Sequence, residues 1–313
     1  MYPLLLEPRL YVKVWGGRKL AHTLGKLLPT DDPYGESWEL HDTSIVINGA
    51  WAGQTIGALT LTQGAALIGP HNNPQDGFPL LAKFLDAADW LSIQVHPDDH
   101  FAAQLEAQAR GKTEAWYIIH AEPGARLVIG VKSGTTREQM ASAIRENQLE
   151  DYLVYAEVNA GDVFYIPAGT IHAIGPGLTL YEIQQCSDTT YRLYDWGRMD
   201  LNGTPRPLHV DQALTVSNIA ILPQITRDFV PDQPILQGPY FVTWREQLDQ
   251  ISRSFDTEGR RFHALTCLDG TVTITWSGGD PVSFNTGQTV LIPAALGTYT
   301  LSGTGQVLRS HQP

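Results

Sequence analysis

The 313-residue chain reads as mainly β, two related β-barrel domains with a small helical insertion. Three observations carry that reading. Twenty-nine Gly and 20 Pro cut the chain into short apolar runs rich in Val, Ile, Tyr and Thr, the texture of a sandwich or barrel. Only two regions carry a helical signature. A pattern of glycine turn, strand, Ile-Pro-Ala turn and strand occurs twice, once from Gly161 (GDVFYIPAGTIHAI) and once from Gly287 (GQTVLIPAALGTYTL).

The clearest strand runs are Leu127 to Val131, Val163 to Ile166, Leu178 to Ile183, Ala264 to Leu268 and Val290 to Ile292. The first helical region spans Pro97 to Arg110. Pro97 suits a first helical position, Asp98 and Asp99 sit where the helix dipole favours anions, and Gly111 follows as the stop. The second spans Thr135 to about Leu153 and opens with a capping box of Thr135 and Glu138. Its apolar stripe, Met140, Ala143 and Ile144, restarts at Leu149, which predicts two short helices in place of one long one. The domain boundary falls near Leu222 to Pro234, where three prolines interrupt the strand pattern, so the domains are expected at 1–225 and 226–313.

Composition narrows the function. A net charge of −12 excludes a general nucleic-acid binder, because no broad basic face replaces phosphate counterions. A local cluster of Arg and Lys still suffices for a small phosphate ester. Two cysteines are too few for a disulfide framework. The opening MYPLLLEPRL has no basic n-region, and no stretch approaches the roughly 18–20 apolar residues of a membrane span. A soluble, cytoplasmic protein with no membrane or nucleic-acid partner is the expectation; the oligomeric state is not legible.

Most of the ten histidines read as surface or hydrogen-bonded residues, among them His120, His209, His263 and His311. His96 differs. In LSIQVHP, Gln94 and His96 lie two apart on a strand, so both side chains leave the same face. Lys112-Thr113-Glu114 then leads into the strand AWYIIH, and His172 follows the turn Pro167-Ala168-Gly169. Two imidazoles, a carboxylate and an amide oxygen suit Zn²⁺ or another borderline divalent ion with one open position. The second copy of the repeat has only Gly297, Thr298 and Tyr299 near the place of His172, so only the first barrel is expected to hold a metal. In the strand Leu178, Leu180, Glu182, Gln184, one face turns from apolar to polar, as a lined pocket requires. Cys186 has no His or basic partner nearby and reads as a small buried residue.

The spacing Gly161, Pro167, Gly169, His172 resembles the second cupin motif, in which that His is a metal ligand, although Pro176 stands where cupins often place an asparagine. SIQVHPDD, GKTEAWYI, IPAGTIHAI and YEIQQCSDTTYRLYDWGR, with Trp15-Gly16-Gly17 and Gly35-Glu36-Ser37-Trp38 before them, together resemble the type I phosphomannose isomerases of the short bacterial form. The resemblance runs at least to Arg198 and is looser after about Pro223. It implies two cupin (jelly-roll) β-barrel domains, the first catalytic and the second degenerate. It also implies one Zn²⁺ per chain on Gln94, His96, Glu114 and His172, and a sugar-phosphate substrate, mannose 6-phosphate or fructose 6-phosphate. Arg192 matches the family's active-site arginine, and Ser92, Lys112, Glu182 and Arg198 match positions lining its substrate pocket.

Aldose–ketose interconversion moves a proton between C2 and C1 through a cis-enediol, which needs a Lewis acid and a base. Glu182 and Lys112 are both candidates for that base, and Arg192 is suited either to enediolate charge or to phosphate. A cupin oxygenase or decarboxylase on iron or manganese would use the same two-His, one-carboxylate set, but has no need of the Arg192 block. A non-catalytic sugar-binding cupin would be expected to have lost ligands, and all four are present.

Overall fold

The computed structural model describes residues 1–313. Its strands form antiparallel sheets of seven, five and nine strands. The seven-stranded sheet runs in the order Gln224–Thr226, Val163–Ile166, Glu114–Ala121, Leu178–Gln185, Leu80–Ala87, Tyr34–Leu40, Arg9–Gly17. The five-stranded sheet runs Tyr191–Tyr194, Ile93–Val95, His172–Ile174, Arg126–Val131, Leu153–Glu157. Leu85, Trp116, Phe164 and Leu180 of the first pack against Leu127, Ile129 and Ile174 of the second, so the two sheets face each other around one core.

The Leu178–Gln185 strand shows how alternation builds both sides of this layer. Leu178 and Leu180 enter the space between the two sheets, whereas Tyr181 and Ile183 enter a larger core shared with the C-terminal half. Glu182 continues the inner row, and the carboxylate ends among other buried polar groups. The polar switch on that face therefore marks the edge of the apolar core.

The nine-stranded sheet gathers most of the C-terminal strands, including the 14-residue His263–Trp276 and Thr298–His311, around Leu265, Val272, Phe284, Val290 and Leu301. It also takes in the chain's first strand: Leu4–Glu7 pairs with Thr289–Ile292, placing Leu4 opposite Leu291. The N-terminal segment thus laces the two halves together. Leu20, Phe78, Phe84, Tyr181, Phe262 and Leu308 fill the shared core, with the Phe78 and Phe262 rings 4.6 Å apart.

The two copies of the repeat fold alike. Gly161 and Gly287 both hold positive φ (94° and 78°), where a side chain would be strained. Each leads into a four-residue strand, a proline and a turn, after which His172 and Thr298 open the next strand.

Helices depart from the sequence reading. The first region is helical only over Asp99–Glu106: Asp98 is the N-cap, its carboxylate accepting from the Phe101 N–H at 2.9 Å, and Pro97 lies outside. Gly111 is not the stop, since Ala107 ends the helix in the left-handed region. Gly111 is small for another reason: a Cβ there would lie 2.3 Å from the Asp98 carbonyl carbon. The second region is two short helices, Arg137–Arg145 and the 3₁₀ turn Leu149–Tyr152. Its capping box is Thr136 with Gln139, one residue later than expected. Four further helices, Lys19–Leu24, Ile56–Gln63, Ala65–Ile68 and Val210–Val216, had no strong signature. No helix is long and apolar enough to cross a membrane.

Candidate metal centre and cavity

Two strand pairings assemble the centre. In the five-stranded sheet Gln94 stands opposite both His172 and Arg192, one on each neighbouring strand. Across the sandwich, Glu114 begins its strand opposite Ile166 and Gln184. His96, just past the Ile93–Val95 strand, closes the group.

His96, Glu114 and His172 are buried, and one ligand-type atom from each lies within 4.8 Å of the others. The His96 Nδ1–H donates to the Thr189 carbonyl (2.8 Å) and the His172 Nδ1–H to the Thr170 carbonyl (2.9 Å). Both rings therefore present an unprotonated Nε2 to the centre, the arrangement a metal-binding imidazole needs. His172 Nε2 is 3.2 Å from Glu114 Oε1, a buried oxygen that accepts no hydrogen bond. Lone pairs facing each other at that distance call for a cation between them, so the residues fit a metal ion.

Electrostatics agree. Burial, reinforced by Lys112, pulls His96 down to about 3, and burial likewise lowers His172, so both rings are neutral. Burial raises the Glu114 carboxyl, but the Lys112 charge outweighs it and holds Glu114 well below the usual carboxylate range. Lys112 Nζ donates to Glu114 Oε2 (2.5 Å) and to His96 Nε2 (2.9 Å). Gln94 places its Nε2 3.3 Å from His172 Nε2, while Ser92 Oγ donates to its Oε1 at 3.2 Å.

A cavity of about 270 Å³ opens beside this group. Ser92, Gln94, Lys112, Glu182 and Arg192 line it, bringing most of the sequence-derived residues to one place. Glu182 accepts from Trp116 Nε1 at 2.9 Å, and its other oxygen lies 3.4 Å from Lys83 Nζ. Burial and the nearby Glu114 push the Glu182 carboxyl upward against the pull of Lys83.

Arg198 does not join them. It is outside the lining, donating to Asp195 (2.9 Å) and Asp89 (3.2 Å). Arg206 faces the cavity instead, with Nε and Nη2 both on Asp195 at 2.7 and 2.5 Å. Sequence reasoning also missed Lys83 and His209, which line the same cavity. Lys83 had a signal, a lone cation inside the apolar run LLAKFLDA of a buried strand, where lysine is costly unless paired. Its pairing with Glu182 and Glu36 outweighs burial and raises its affinity for the proton. Arg206 and His209, in the turn-rich TPRPLHV, carried none. Cys186 is half-buried where a buried residue was expected, but it is no nucleophile: desolvation pushes its thiol up to about 12.

Facing antiparallel sheets around a two-His, one-Glu cluster, beside a cavity rich in cations, are the architecture of a cupin with a candidate metal centre. The sequence comparisons narrow this further. Residues 4–115 match the family profile "Phosphomannose isomerase type I, catalytic domain" and residues 235–312 match "Mannose-6-phosphate isomerase, cupin domain". The chain is 32% identical to the mannose-6-phosphate isomerase of Streptococcus mutans, over 99% of this chain and 98% of that one. It is 34% identical to mannose-6-phosphate isomerase ManA of Bacillus subtilis, over 99% and 98%. The crystal structure of the Bacillus subtilis mannose 6-phosphate isomerase superposes with a TM-score of 0.88 at 28% identity, covering 99% of this chain and all of that one. The chain belongs to the type I phosphomannose isomerase family.

Proposed function

We propose that this protein is a zinc-dependent, cytoplasmic aldose–ketose isomerase that interconverts mannose 6-phosphate and fructose 6-phosphate through a cis-enediol. One observation carries the reading: a two-His, one-Glu centre stands beside a cavity, next to its lining residues Gln94 and Lys112, and that cavity holds a carboxylate of raised proton affinity and a pair of guanidinium groups. His96, Glu114 and His172 would hold the zinc, and Gln94 would join them through its amide oxygen only with that amide turned over from the orientation that aims Nε2 at His172. The zinc when bound would supply Lewis-acid polarisation of the sugar's oxygens. The division into a catalytic domain, 1–225, and a degenerate cupin, 226–313, goes with this reading, since Thr298 stands in the second copy where His172 stands in the first.

Glu182 is the better placed base. Its carboxyl lines the cavity, with Oε1 accepting no hydrogen bond, and its proton affinity is raised by burial and Glu114, which suits a group that takes a proton from C2 and returns it to C1. Lys112 is held by Glu114 Oε2, a bond that survives when His96 Nε2 is given to the metal, so it serves as a positive charge beside the reacting oxygens. Lys83 holds Glu182 in place and offsets its charge. Arg192 and Arg206 receive the phosphate, with Ser92 orienting Gln94 at the other end.

Turnover in D₂O followed by NMR tests the proton transfer. Deuterium should appear at C1 of the fructose 6-phosphate formed, and Glu182→Gln should lose turnover by 10²-fold or more. Product with no deuterium at C1, together with undiminished turnover by Glu182→Gln, would remove the enediol and its base together.

A further inference from the structure

The cation end of the cavity is built by one strap of chain, from Arg192 to His209, closed at its neck. The Arg192 carbonyl accepts the His209 N–H at 2.8 Å. In return the Arg192 N–H donates to His209 Nδ1 at 3.2 Å, and Arg192 Nη1 donates to the Pro207 carbonyl at 3.0 Å. Inside the strap Asp195 spends both oxygens on Arg206 and Arg198. What remains unpaired here is a set of donors: Arg192 Nε is buried with no partner, and Arg206 keeps Nη1 free.

His209 adds a donor of a different kind. An imidazole whose Nδ1 accepts a backbone N–H must, when neutral, carry its proton on Nε2. No protein group takes that Nε2–H, and the ring lines the cavity. Burial and the adjacent Arg192 charge keep the ring neutral, against a weaker opposite pull from Glu106. A neutral donor completes the coordination of a phosphoryl oxygen without adding a third cation to two guanidiniums that already repel each other.

We propose that His209, in the tautomer protonated on Nε2, donates to the phosphoryl group of the substrate and helps the site distinguish a phosphorylated from a free sugar. The inference rests on the isomerase reading for the identity of that substrate, but phosphate binding itself can be measured without turnover.

Two amide substitutions separate the ring's two nitrogens. His209→Asn places an oxygen near Nδ1, keeps the bond from Arg192 N–H and removes the donor at Nε2. His209→Gln places an amide NH₂ near Nε2. Calorimetric titration of the zinc-loaded full chain with inorganic phosphate should show binding weakened about tenfold in His209→Asn and largely regained in His209→Gln. The KM for mannose 6-phosphate should rise in parallel, more than kcat falls. Phosphate binding by His209→Asn equal to the wild type, or no better by His209→Gln than by His209→Asn, would overturn the assignment. A wild-type protein that binds phosphate with this pattern yet isomerises nothing would remove the isomerase reading and leave His209 in its role.

Discussion

Glu114 shows at the scale of one residue how the site resolves conflicting demands. A carboxylate taken out of water is costly, and this one is fully buried. Lys112 compensates one oxygen, while the other faces His172 Nε2 at 3.2 Å. Removing His172 therefore takes away a proposed ligand and leaves Glu114 oriented by Lys112. His172→Ala should lose both bound zinc and turnover, whereas Arg192→Ala should retain zinc at near one equivalent and lose turnover by 10²-fold or more. Metal analysis beside the kinetic assay separates the two, and loss of zinc in Arg192→Ala would make that residue a support of the centre. The proposed ligands are legible in the sequence because they sit in short motifs with fixed periodicity: Gln94 and His96 two apart, Glu114 at a strand start, His172 after a proline turn. Arg206 is illegible for the opposite reason. It reaches the cavity only because Asp195, eleven residues earlier, clamps it.

Among the elements, strands were legible and helices much less so. The run Val163 to Ile166 is a strand at those bounds because β-branched and aromatic residues lie between a glycine turn and a proline. Ile56–Gln63 and Val210–Val216 are short, and their helical state depends on what they pack against; Ile56, Leu59, Ala213 and Val216 are buried. Glycines were legible as landmarks, but their reasons were tertiary. Gly16 lies so close to the neighbouring strand that a Cβ would meet the Gly35 backbone nitrogen at 2.4 Å. That contact ties together two segments, Trp15-Gly16-Gly17 and Gly35-Glu36-Ser37-Trp38, which the sequence presents as separate motifs. No periodicity reveals it, because it depends on pairing between Arg9–Gly17 and Tyr34–Leu40.

The whole molecule is held by a core that both halves share, and its C-terminal half carries a buried polar cluster of its own. There His263 Nδ1 pairs with the Tyr299 hydroxyl at 2.7 Å, and the His311 ring lies 5.2 Å away. Burial, with Arg309, His311 and Arg261 adding to it, holds His263 well below its usual range, and burial pulls His311 down to about 4. In the unfolded chain both titrate near 6.5. Below that pH the unfolded chain binds more protons than the folded one, so stability is complete above about 6.5 and falls as the pH drops toward 4. Each histidine contributes a slope of up to about 1.4 kcal/mol per pH unit. Melting temperatures between pH 7 and 5 should therefore fall with acidity, and His263→Gln should flatten the decline; an unchanged slope would remove His263 from the account. The central claim, that the buried metal centre and the cation-lined cavity form one isomerase site, is tested most directly by a coupled assay of mannose 6-phosphate turnover on purified protein before chelation, after it, and with zinc restored. The account predicts turnover that disappears with the chelator and returns with Zn²⁺. Turnover that survives complete metal removal, or none in the zinc-loaded protein, would contradict it.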